Sequence, residues 1–126
     1  MGILSKFFKK EHVFERVEEE ILELSNQNGR IQKPTKEDLK EYLNLLFDDY
    51  DQFITLTLPT AKKGIRYIQA CFVGNDIIVQ LGLEKENQTR LVEKVCLNAQ
   101  ECVDIFYKFY DYGVVDGIKD YKPVKF

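Results

Sequence analysis

The block from Asp51 to Val95 alternates apolar and polar side chains along successive short runs, and this period of two constrains the fold more than any other feature. The runs read FITLTL, IRYIQACF, NDIIVQLGLE and TRLVEKVC, with turn-forming residues between them. In the first, Ile54, Leu56 and Leu58 face one way and Phe53, Thr55 and Thr57 the other. Pro59 to Gly64 reads as a loop, and Ile65 to Val73 as a second strand with Ile68, Ala70 and Phe72 on its core side. Gly74-Asn75-Asp76 is a hairpin signal, Ile77 to Glu84 a third strand, Glu86-Asn87-Gln88 a polar turn and Arg90 to Cys96 a fourth strand. Connections this short favour an antiparallel meander.

Helical periods flank the block. Val13, Phe14, Val17, Ile21 and Leu24 recur at helical spacing, which predicts a first helix from Glu11 to about Asn26, stopped by Asn28-Gly29. Thr35-Lys36-Glu37-Asp38 is a near-capping box opening a second helix, whose stripe is Leu39, Tyr42, Leu43, Leu46 and Phe47. Asn98-Ala99-Gln100-Glu101 opens a last helix with Cys102, Val103, Phe106 and Tyr110 inward and Gly113 as its stop. The tail spaces Val114, Ile118, Tyr121, Val124 and Phe126 as a docked segment would. The expected architecture is α+β: two N-terminal helices, an antiparallel meander of four or more strands, and a C-terminal helix packed on the sheet. A chain of 126 residues with 44% hydrophobic side chains fits one such domain, over 11–126.

Residues 1–10 stand apart, with three lysines and no acid; Ile3, Leu4, Phe7 and Phe8 share one side of a helical wheel. Two roles are open to this basic amphipathic segment: a weak contact with an anionic membrane surface, or an extension of the first helix. No run approaches the roughly 20 apolar residues of a membrane span, and Lys6, Lys9 and Lys10 break any secretory signal. Three cysteines, Cys71, Cys96 and Cys102, make an odd count in apolar contexts, as expected of buried reduced thiols in a cytoplasmic protein.

The net charge of −3 is unevenly spread. Residues 11–51 carry twelve acids against five bases, whereas 52–126 carry nine against ten. An acidic first third repels nucleic acid and steers a basic partner. Glu19, Glu20, Glu23, Asp48 and Asp49 are therefore candidate partner-binding residues, expected to be exposed. Five aromatics between Phe106 and Tyr112 cannot all face inward on one helix, and Tyr107 and Tyr112 are the two expected to project outward. Tyrosine suits an interface, having both apolar area and a polar tip, although packing under the tail would also use it.

Chemistry is thinly represented. The one histidine, His12, has no Ser or Cys partner nearby, and no nucleophile elbow, phosphate-binding loop, zinc motif or dinucleotide fingerprint occurs. Asp48-Asp49-Tyr50-Asp51 is the best candidate for a hard cation, but it lacks the alternate ligands, internal Gly and terminal Glu of a calcium loop. Glu84 and Glu86 form an acid/base pair only if folding adds another group. Lys62, Lys63 and Arg66 are the one compact basic group in the strand region, too few for nucleic-acid binding. The residues point to a protein that is not an enzyme and needs no cofactor or metal.

An acidic turn, a strand, a Tyr-Ile-Gln strand, a strand ending in Glu and then a helix resembles small bacterial immunity proteins of polymorphic-toxin systems. The carrying residues are Asp48-Asp49 with Phe53, Tyr67-Ile68-Gln69, Glu84, and Glu101 followed by Phe106 and Tyr110, over residues 48–113. Such families often carry a tryptophan near the C-terminus, and this chain has none. The resemblance implies a non-catalytic module that binds and neutralises a cognate toxin, for which a basic toxin domain is the expected partner. Two other classes stay open: a secretion chaperone or adaptor that binds an effector segment, and a small enzyme.

Overall fold

The computed structural model describes residues 15–49 and 52–124, without the side chain of Glu20. Seven strands form one antiparallel sheet: β1 Glu23–Asn26, β2 Gly29–Gln32, β3 Phe53–Lys62, β4 Ile65–Val73, β5 Asp76–Lys85, β6 Gln88–Val95 and β7 Lys122–Pro123, in the order β2-β1-β3-β4-β5-β6-β7. Helix α1, Lys36–Asp48, connects β2 to β3, and α2, Ala99–Tyr112, connects β6 to the tail. Among the described residues, no helix is long and apolar enough to cross a membrane.

The expected pair of N-terminal helices is corrected. Over its described part, 15–26, the first predicted helix is instead an extended lead-in, a 3-10 turn at Glu19–Ile21 and strand β1. Leu24 satisfies both a helical stripe and an alternating one. Its neighbours decide between them: Leu22, Leu24 and Asn26 are buried, whereas Ile21, which the helical stripe needs inside, is 45% exposed. Leu24 pairs with Ile31 on one side and Leu56 on the other. Asn28-Gly29 is thus a hairpin signal, not a helix stop. The Asn26 side chain accepts the Asn28 N–H at 2.9 Å, and Gly29 takes φ 148°, which side-chain-bearing residues rarely adopt. Residues 1–10, His12, Tyr50, Asp51 and Phe126 lie outside the described set, as do the readings made on them.

The other helices form where capping predicts. Thr35 Oγ1 accepts the Asp38 N–H at 3.1 Å while Asp38 Oδ2 accepts the Thr35 N–H at 2.8 Å, so Asp closes the box as Glu does elsewhere. Asn98 accepts the Glu101 N–H at 2.9 Å; Glu101 reaches one residue further back than a standard box, to the Leu97 N–H at 2.8 Å. Leu39, Leu43 and Leu46 of α1 and Cys102, Phe106, Phe109 and Tyr110 of α2 share one core with Ile54, Leu56, Ile68, Ala70, Val79 and Leu81. Both helices therefore cover the same face of the sheet.

β3 runs four residues beyond the expected run, and the loop shrinks to Lys63-Gly64. Leu58 is buried and keeps the alternation going. Pro59 is tolerated because β1 ends opposite Thr57 and the register with β4 shifts between Thr57 and Lys62, so no ladder bond needs its missing N–H. The tail docks through Val114 and Tyr121, both buried, and through β7 on β6; Ile118, expected inward, is 40% exposed.

Candidate functional site

The face of the sheet opposite the helices carries three rows of side chains that the register aligns. Phe53, Cys71, Ile78 and Val95 stand side by side across β3 to β6. Two residues along each strand, Thr55, Gln69, Gln80 and Glu93 form the second row, and Thr57, Tyr67, Gly82 and Leu91 the third. β1 extends the last two rows with Ser25 and Glu23.

The first row is apolar, buried at Ile78, half-buried at Cys71 and open at its two ends. Phe53 is 38% exposed and Val95 53%; Val73, two residues beyond Cys71, is 63% exposed and Leu97, just past β6, 87%. Isolated apolar side chains on a surface are ordinary, but contiguous ones mark contact sites. The middle row is a directed relay of hydrogen bonds. Thr55 Oγ1 donates to Gln69 Oε1 at 3.2 Å, Gln69 Nε2 to Gln80 Oε1 at 3.0 Å, and Gln80 Nε2 to Glu93 Oε1 at 3.1 Å. The relay ends on a carboxylate, whose oxygens accept several bonds each and so retain capacity for a cation. Burial, and then the charge of Glu93, push the Cys71 thiol up, which keeps it protonated and apolar in character. In the third row the Tyr67 ring lies over Gly82 so closely that any Cβ there would collide with it.

The residues singled out from the sequence are dispersed. Glu23 lies on the open face, half-buried, accepting from Gln32 Nε2 and 3.8 Å from Arg30. Glu19 is exposed in the 3-10 turn, near the Tyr110 hydroxyl, which burial and Glu19 hold in its protonated form. Asp48 and Asp49 are exposed at the opposite end of α1, about 15 Å away by helical rise from the Asp38 end. Asp49 accepts from Gln52 Nε2 at 3.2 Å. Tyr107 and Tyr112 are half-buried in the helix layer. Lys36 Nζ stands 5.3 Å from the Tyr107 ring centre and the Arg16 guanidinium 5.7 Å from that of Tyr112. The same two cations hold Asp111, at 2.8 Å and 3.2 Å, pinning the lead-in to both helices. Among the described side chains of this set, only Glu23 shares a face with the three rows.

Of the other candidate groups, Arg66 donates to the Leu58 carbonyl and pairs with Glu84 at 3.3 Å, and Lys62 Nζ donates to the Glu15 carbonyl at 2.9 Å. Arg66 therefore ties β4 to β3 and β5, and Lys62 ties β3 to the lead-in. Glu84 and Glu86 line a hollow of about 480 Å³ beside the β3–β4 and β5–β6 turns, with Lys63, Lys85, Arg90 and Ile118. Comparison with protein-family models, with curated proteins and with solved structures finds no match to this chain.

Proposed function

We propose that this chain is a non-catalytic binding module that engages a basic protein partner through the open face of its sheet. The observation that carries the reading is the set of exposed apolar side chains Phe53 and Val95, at the ends of the first row, with Val73 and Leu97 beyond it, beside a relay that ends on Glu93. Apolar anchors next to a half-buried carboxylate suit a Lys or Arg of a partner set among apolar residues. The acidic charge of residues 11–51 speeds the encounter, and the sheet face then sets the dissociation rate. Neutralisation of a cognate toxin is the form of this function that we favour, on the resemblance over 48–113.

The test is co-expression with the protein encoded beside this chain, followed by affinity and stoichiometry. A 1:1 complex is expected, and Phe53→Asp with Val95→Asp should weaken it about thirtyfold or more while unfolding stays unchanged. Asp48→Asn with Asp49→Asn should slow association at low salt only. A complex indifferent to the sheet-face substitutions would sink the assignment of the face. A secretion chaperone would use the same apolar row differently, as a homodimer holding an extended effector segment, and the stoichiometry separates the two.

A further inference from the structure

The glycine at position 82 gives the third row of the open face a flat aromatic surface. Gly82 lies mid-strand on β5, and Tyr67 stands opposite it on β4. Three consecutive atoms of the Tyr67 ring, Cδ2, Cε2 and Cζ, crowd the place of a Cβ at Gly82 at nearly equal distances. An edge-on ring would bring one atom close and hold its two neighbours well back, so the ring lies face-down on the strand. Gly82 is buried beneath it, although it belongs to the open side of the sheet. Tyr67 itself is half-buried, which leaves the opposite π face toward solvent. Among the described residues, no cation stands over that ring. A carboxylate flanks it. Gln80 is two residues along β5 from Gly82 and on the same face, about 7 Å away by strand rise. Its amide donates to Glu93 Oε1 at 3.1 Å, which draws the half-buried carboxylate toward β5 beside the ring. Lys122 stands opposite Glu93 on β7, yet among the described residues Glu93 makes no ion pair. Beyond Gly82 in the other direction, Glu84 is held by Arg66 at 3.3 Å, and Arg66 also donates to the Leu58 carbonyl, so that pair is closed on itself.

We infer that Tyr67 and Glu93 form a seat for a guanidinium group, so that the residue this face takes from its partner is an arginine; the inference rests on the open face being the contact surface. A guanidinium is planar, stacks on an aromatic face and presents N–H groups in its own plane to a carboxylate. The Tyr67 ring supplies the face, and Glu93 supplies the acceptor at its margin. A lysine ammonium meets the carboxylate as a compact, strongly hydrated point charge and gains less from a flat ring. Gly82 is what keeps the seat flat, because a side chain there would lift the ring off the strand.

The experiment uses the full chain and small probes, so it needs no cognate partner. N-acetyl-arginine amide, N-acetyl-lysine amide and N-acetyl-citrulline amide are titrated separately, and the Tyr67 ring and Gly82 amide resonances are followed by NMR. Arginine should shift both saturably and bind more tightly than lysine by about threefold or more. Citrulline, planar but uncharged, should bind more weakly than arginine. Glu93→Gln should bring arginine down to the level of citrulline. Tyr67→Phe should keep the preference for arginine over lysine, and Tyr67→Leu should abolish it. Equal binding of arginine and lysine by the parental chain overturns the stacked seat, and arginine binding unchanged in Glu93→Gln overturns the part given to the carboxylate. Absence of any saturable arginine shift overturns the inference as a whole, while the binding-module reading is judged separately, by Phe53→Asp with Val95→Asp in the complex.

Discussion

Gly82→Ala is the most informative single change to the open face, because its sign depends on one neighbour. Gly82 sits mid-strand in β5 with ordinary extended backbone, so alanine meets no conformational obstacle. On backbone entropy alone the substitution should stabilise by about 0.5–1 kcal/mol. The Tyr67 ring opposes this. A Cβ at position 82 would press on its Cε2 and Cζ and stand 2.6 Å from its Cδ2, where ordinary contact begins at 3.4 Å. The ring must retreat by 0.8 Å or more at that atom and lose its bed on β5. Overpacking of this kind costs about 1–3 kcal/mol, which outweighs the entropic gain. With Tyr67→Ala already in place the obstacle is gone, and Gly82→Ala should stabilise. The entropic gain is common to both backgrounds and cancels, so the coupling between the two sites is the overpacking cost, about 1–3 kcal/mol, from a double-mutant cycle of urea unfolding at fixed pH. An equal effect of Gly82→Ala in both backgrounds would refute the packing of Tyr67 on the strand, and with it the shape of the third row.

Phe106→Ala removes a fully buried ring between α2 and the sheet and should cost about 3–5 kcal/mol in denaturant unfolding; a loss under about 1 kcal/mol would show that α2 is not the cover of the core. Glu101 bears on acid stability. The Leu97 N–H, and then Lys94, hold its carboxyl below the ordinary carboxylate value. A depressed folded-state pKa contributes stability above the unfolded value, about 4.3, and that contribution is lost as pH falls through the lowered folded value. Wild type should therefore exceed Glu101→Gln in stability at neutral pH and converge with it in acid; a difference independent of pH would contradict the role given to the charge.

The sequence declares those features whose cause is local. Thr35 and Asp38 are three residues apart and close a box on each other, so α1 is visible in the order of the residues; Asn98 announces α2 in the same way. Ile54, Leu56 and Leu58 alternate within one strand, so their burial is equally plain. Strand β1 is different. Leu24 fits two periods, and what chooses between them is Leu56, thirty-two positions away. The open face was hidden for a related reason. Its rows exist only once register is known, and two-residue turns set register. A loop from Pro59 to Gly64 leaves Thr55 without a cross-strand partner. The true turn, Lys63-Gly64, follows a shift in register that no single strand reveals, and it places Thr55 opposite Gln69. The acidic residues of the first third are legible as charge, whereas their separation along α1 and across the sheet comes from pairing far away in the chain.

The relay from Thr55 to Glu93 has a polarity, and the polarity couples its members. Each amide presents its carbonyl oxygen toward β3 and its NH₂ toward β6. Turning Gln80 alone would set N–H against N–H at Gln69 and oxygen against oxygen at Glu93, and turning Gln69 alone would set oxygen against oxygen at Gln80, so the two glutamines keep one orientation together. The row spans three strand spacings, about 14 Å. A cation placed on Glu93 would compete for the oxygen holding Gln80, and the slackening would pass through Gln69 to the Thr55 hydroxyl. An isotope-resolved signal from the Thr55 hydroxyl or the glutamine amides would then register such a cation from the far side of the sheet.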